Sequence, residues 1–148
     1  GKPKIPKENK CKVGGGVLKS KEHVKGYVNI YKSRGKFYYV YSTDAVLMSH
    51  VLDYKLLEGI RVGFPDNAIE RVKEKLSLLK ISYVVYNIDE KPLKKNFHKK
   101  NMYNFYLTEA NKNLDIKLRT DRIIDKIKKC DKDKLRDLLG VIDDFFRE

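Results

Sequence analysis

Residues 27–41 read YVNIYKSRGKFYYVY. Two runs of β-branched and aromatic residues flank the polar stretch SRGK, which predicts a β-hairpin with strands at Tyr27–Tyr31 and Phe37–Tyr41. Side chains alternate along a strand, so Phe37, Tyr39 and Tyr41 share one face and Tyr38 and Val40 the other. One face of such a hairpin must pack beneath helices. The pattern leaves two readings open for the odd-numbered aromatics: packing or partner contact, or a surface that stacks on bases.

The segments that follow restrict the fold further. Ser42 or Thr43 is expected to cap a helix, with Ala45, Met48, Val51, Leu52 and Leu56 at helical spacing and Gly59 at its end. Arg61–Phe64 suits a short strand. Pro65 and Asp66 then open a second helix, with Asp66 as N-cap and Ala68, Ile69, Val72, Leu76 and Leu79 on its buried face. Ile81–Asn87 reads as a buried strand. The expectation is an α+β fold, a mixed β-sheet with helices packed against it, over residues 18–90. Residues 1–17 read as a flexible basic arm with a hinge at Gly14–Gly16, and residues 91–100 as a basic linker. Residues 101–148 read as a C-terminal helical hairpin, its first arm broken near residues 113–116 and its last helix capped by Asp131.

Charge is where composition enters. The net charge is +13, and it is unevenly spread. Residues 1–36 hold eleven basic and two acidic residues, and KPLKKNFHKK at 91–100 holds five basic and no acidic ones. Residues 37–90 are slightly acidic and residues 101–148 nearly neutral. A lysine-rich genome would spread its lysines evenly. Concentrated basic charge attracts polyanions, nucleic acid first. Lys94, Lys95, Lys99 and Lys100 are the best phosphate candidates because no acid dilutes them, with His98 beside them. Arg34 and Lys36, at the hairpin turn, are either phosphate contacts or plainly solvated.

Other chemistry is set aside. Cys11 and Cys130 form no CxxC or Cys/His pattern, and His23, His50 and His98 have no carboxylate at ligand spacing, so no metal and no cofactor is expected. Asp44, Asp53 and Glu58 do not share a helix face as a two-metal cluster would require; Asp44 is expected to support the helix N-terminus. No catalytic residue is proposed and no enzyme activity is expected. No apolar run reaches membrane-span length, and no apolar stretch follows the basic N-terminus, so a cytoplasmic protein without membrane contact is the expectation.

Several of these residues resemble a known family. Arg34-Gly35-Lys36-Phe37-Tyr38, then Asp44-Ala45, Ser49 and Leu52-Asp53, resemble the G-D-F-Y-E strand, D-A pair and S-x-x-L-D helix of the N-terminal mismatch-recognition domain of MutS proteins. Gly63-Phe64-Pro65 with Ala68 and Glu70 resembles that domain's G-I-P-x-x-A-x-E helix entrance. The likeness spans about residues 27–87, with a shorter loop near Leu57–Arg61. No Walker A motif is present, so no ATPase is implied. The chain is similar to stand-alone MutS-like accessory proteins found beside the reverse transcriptases of diversity-generating retroelements.

The resemblance implies a base-stacking role for Phe37. The family's Glu position holds Tyr39, and its Asp position holds Lys36. Loss of the carboxylate argues against MutS-type mismatch discrimination and is compatible with sequence-tolerant stacking on unpaired bases. The expected nucleic-acid-binding residues are therefore Arg34, Lys36, Phe37, Tyr39, Lys94, Lys95, Lys99 and Lys100. The expected partners are DNA, RNA or their hybrid, and a protein such as a reverse transcriptase. The alternative is an interaction adaptor that holds its partner through the helical tail and sheet edge, without base contact.

Overall fold

The computed structural model describes residues 22–58 and 60–147 and, before them, two short strands, β1 (Lys12–Val13) and β2 (Gly16–Val17), paired antiparallel. The rest of the expected N-terminal arm lies outside the described residues, as do Gly14 and Gly15 of the expected hinge; Gly16 lies in β2. The chain divides into two units, residues 1–114 and 115–148.

The first unit is built on a five-stranded mixed sheet. β3 (Val28–Lys32) and β4 (Phe37–Tyr41) form the antiparallel hairpin, α1 (Ser42–Val51) follows, and β5 (Arg61–Pro65) pairs antiparallel with β4. A 3₁₀ turn and α2 (Ile69–Leu78) lead to β6 (Tyr83–Tyr86), which lies parallel to β3. β7 (Leu93–Lys95) closes the edge antiparallel to β6, giving the order β5-β4-β3-β6-β7. The fold is thus α+β, with a mixed sheet, packed helices and further helices at the C-terminus.

Alternation sorts each strand. Val28 and Ile30, Tyr38 and Val40, Val62 and Phe64, and Tyr83 and Val85 join one core with Leu47 and Met48 of α1 and Val72 and Leu76 of α2. Phe64 is fully buried, its ring stacked between those of Tyr38 and Tyr54, each with its centroid 5.6 Å away. Six consecutive residues of α1, Asp44–Ser49, are buried, because the sheet covers one side of the helix and α3 (Tyr103–Lys112) another.

Five expectations are corrected. Residues 91–100 are not a linker: Leu93–Lys95 is the edge strand β7, and His98–Lys100 is a 3₁₀ turn. The helix starting at Tyr103 belongs to the first unit, with Tyr103 and Ala110 buried and Tyr103 in the core. α1 stops at Val51, well before Gly59, and Asp53 takes a left-handed φ of 57° just after it. Neither Ser42 nor Thr43 caps α1. Ser42 has φ 57° and lies inside the helix, donating its N–H to Ile60 O at 2.9 Å. Nor is Asp66 the cap of α2: it opens the 3₁₀ turn, and its N–H donates to Lys36 O at 2.8 Å.

The second unit holds α4 (Leu114–Lys129), from Asp115 on, and α5 (Lys132–Phe146). The break near residue 113 and the Asp131 cap are both found; Asp131 Oδ1 accepts from the Lys134 N–H at 2.8 Å. Neither helix contains a buried residue, so no apolar seam is sealed between them. Among the described residues no helix is long and apolar enough to cross a membrane.

Candidate nucleic-acid interface

The helices take one face of the sheet, and the aromatic row lies on the other. With Tyr38 and Val40 turned into the core, Phe37, Tyr39 and Tyr41 point away from it. Register extends the row: Tyr39 lies opposite Tyr31 on β3, and Tyr31 opposite Tyr86 on β6. Ring contacts run without a gap from Tyr86 to Tyr31 (4.8 Å, 9°), Tyr41 (5.9 Å), Tyr39 (6.4 Å) and Phe37 (6.1 Å, 24°).

A strap of backbone covers one end of this row. Val24 and Tyr27 pack on Tyr31, Val84 and Tyr86. Asn29 ties the strap down: its Oδ1 accepts from the Val24 N–H at 2.9 Å, and its Nδ2 donates to Val24 O and Tyr27 O. Tyr31 Oη adds a hydrogen bond to Glu22 O. Tyr86 Oη donates to Asn29 Oδ1, and burial pushes this phenol up to about 12. At the other end Phe37 is 42% exposed and Tyr39 half-buried.

β5 shapes that open end. Gly63 lies opposite Tyr39, and Arg61, two residues earlier on the same face, sets its guanidinium carbon 4.7 Å from the Tyr39 ring centroid. At the far edge Lys94, paired with Val84, shares the aromatic face and places Nζ 5.5 Å from the Tyr27 ring centroid. Arg61 and Lys94 stand four strand spacings apart, roughly 19 Å. The face is therefore aromatic in the middle and cationic at both edges.

The remaining candidates separate into two places. Arg34 and Lys36 are exposed at the β3–β4 turn, next to Phe37. Arg34 lines a shallow cleft of about 540 Å³ with Lys32, Asn87, Asp89 and Glu90, so its corner is mixed in charge. Lys95, Lys99 and Lys100 are exposed near the start of β6, the opposite end of the sheet. Lys95 neighbours Lys94 in β7 and so points to the other face, with Nζ 5.6 Å from the Phe97 ring centroid. Asn101 fixes this segment, accepting from the Ser82 N–H and donating to Gly26 O.

Sequence reasoning missed Arg61, Gly63, Tyr31 and Tyr86 as part of this face. Their signal was alternation: R-V-G-F places Arg61 and Gly63 opposite Val62 and Phe64, and Y-V-V-Y does the same for Tyr86. It also gave Asp44 too small a part. This carboxylate is 2% exposed and joins three elements. Asp44 Oδ2 accepts from the Asn29 N–H and Nδ2, each at 3.0 Å, and Oδ1 accepts from Tyr103 Oη. Burial, reinforced by the Asp44 charge, drives the Tyr103 phenol upward. Among the described residues no cluster of three or more His, Cys, Asp or Glu could hold a metal ion.

His23, in the strap, completes the network with Nε2 3.6 Å from Asp44 Oδ2. The Asp44 hydrogen bond raises the His23 pKa above its ordinary 6.5, against the opposing effect of burial. A folded pKa above the unfolded one gives stability that is fully present below about pH 6.5 and is lost as pH rises through the raised value. Urea unfolding between about pH 5.5 and 8.5 should therefore show stability falling with pH, and His23→Gln should flatten that fall. A curve that keeps its slope in His23→Gln would assign the dependence to another group.

Comparison of the chain with protein-family models and with curated proteins gives no match in either.

Proposed function

We propose that this protein is a non-enzymatic, nucleic-acid-binding accessory protein, similar to MutS mismatch-recognition domains but without their ATPase, that acts in the cytoplasm with a reverse transcriptase on template RNA or DNA. One observation carries the nucleic-acid part. The Phe37–Tyr39–Tyr41 row turns away from the helices, carries the Arg61 guanidinium on Tyr39, and has Lys94 on the same face. Aromatic rings flanked by cations are what a polyanion with stackable bases requires. A core-packing role would have turned these rings toward α1 and α2. The reverse transcriptase partner rests on the family resemblance of residues 27–87.

The test is binding of single-stranded and duplex RNA and DNA at several salt concentrations. Affinity should fall as salt rises, because phosphate contacts release counterions. If none of the four ligands binds at low salt, the reading is wrong. The adaptor reading draws on a different observation: Phe145 is 80% and Phe146 72% exposed at the end of α5. It predicts no nucleic-acid affinity of the protein's own, so the same titration separates the two.

A further inference from the structure

Resting on the nucleic-acid reading above, we propose that Phe37, Tyr39 and Arg61, laid over Gly63, form a shelf that stacks two consecutive unpaired bases of a single strand. The shelf is built by a missing side chain. A Cβ on Gly63 would lie 2.8 Å from Tyr39 Cε1, 3.1 Å from Tyr39 Cδ1 and 3.5 Å from Phe37 Cδ2. Both rings lie beside the bare backbone of β5; a side chain at Gly63 would displace the Tyr39 ring, while Phe37 would stay at ordinary contact distance.

The two positions differ in what they offer. Phe37 presents an exposed ring beside the turn, where Lys36 supplies positive charge. The Arg61 guanidinium lies over the Tyr39 ring, so a base at that position would meet a guanidinium as well as a ring, and both are good partners for a base face. Among the described residues, Arg61 Nε is buried without a hydrogen-bond partner. Cations at the turn and on the shelf favour an anionic strand running along β4 from Arg61 to Lys36.

This arrangement selects against paired ligands. Bases inside a duplex are stacked on one another and present only their edges in the grooves. Flat groups lying on a sheet can be covered only by a base face, which an unpaired strand exposes. The ligand is therefore single-stranded RNA or DNA, read with little sequence preference.

The experiment uses the full-length protein and oligonucleotides carrying 2-aminopurine, whose fluorescence reports stacking, as single strands and in the matching duplex. Wild-type protein should quench the single strand and bind it more tightly than the duplex. Phe37→Leu keeps an apolar side chain and Arg61→Lys keeps the charge. Each should weaken single-strand binding by about 5-fold or more while the salt slope stays unchanged. Far-ultraviolet circular dichroism and melting checks that both variants fold. If the protein binds but neither variant loses affinity, or the duplex binds as well as the single strand, the shelf is wrong and the broader nucleic-acid reading stands. If no ligand binds at low salt, both fall.

Discussion

Asp44→Ala is expected to destabilise the first unit by about 3–5 kcal/mol, more than any surface substitution. The side chain touches no expected ligand, so the effect is one of folding. Its two oxygens accept from the Asn29 N–H, Asn29 Nδ2 and Tyr103 Oη, and one of them faces His23. Alanine leaves the Asn29 N–H and the Tyr103 hydroxyl buried without their acceptor, each costing about 1–3 kcal/mol when no water reaches it, while Asn29 Nδ2 keeps Val24 O and Tyr27 O. The donors belong to β3 and α3, and the acceptor to α1, so one change loosens all three together. Tyr103→Phe removes a single donor and keeps the ring, and should cost about 1.5–3 kcal/mol, the range for one hydrogen bond to a charged group. Thermal unfolding distinguishes them: the Asp44 variant should melt lower by on the order of 10–20 °C, the Tyr103 variant by about half as much. Equal losses would mean that the Tyr103 bond alone carries the network.

That network was not legible in the sequence, and the reason is physical. Asn29, Asp44 and Tyr103 are far apart in the chain, and nothing local about an Asp in the first turn of a helix distinguishes a dipole partner from a buried hub. The strands, by contrast, declare themselves through period-two alternation. YVNIY, FYYVY, RVGF and ISYVVYN each became a strand because the residues facing the helices are apolar. β7 hides for the opposite reason. An edge strand is often protected by charge, and Leu-Lys-Lys has no apolar alternation to read. The α3 periodicity was visible, but a stripe does not say which surface it meets.

The candidate site was half legible. Phe37, Tyr39 and Tyr41 could be assigned to one face, but not to the outer one, because aromatics suit either side of a sheet. What decides the matter is the competition along each strand. Val40, Val62, Phe64 and Val85 fill the space under α1 and α2 and leave the alternate positions for the other side. Arg61 and Gly63 enter only through cross-strand register, Tyr41 against Arg61 and Tyr39 against Gly63, which depends on how β5 returns after the 52–60 loop. Neither residue is unusual in sequence.

Replacing Lys94, Lys95, Lys99 and Lys100 together with Gln should have the largest effect on binding. All four are exposed, so the fold should be little affected. Each phosphate contact to a single strand contributes about 0.7 to the slope of log affinity against log salt. Three lost contacts would lower the slope by about 2 and the affinity by about 10²-fold at 0.1 M salt. The single variants are more informative. Lys94 shares the aromatic face, whereas Lys95 points to the opposite one. A strand held on the aromatic face meets Lys94, so Lys94→Gln should lower the slope by about 0.7 and Lys95→Gln should leave it unchanged. Arg34→Gln should also do little, because Asp89 and Glu90 share its cleft. Equal losses from Lys94→Gln and Lys95→Gln would mean that the strand passes over the β7 edge, and the path along β4 could not then be extended across the sheet.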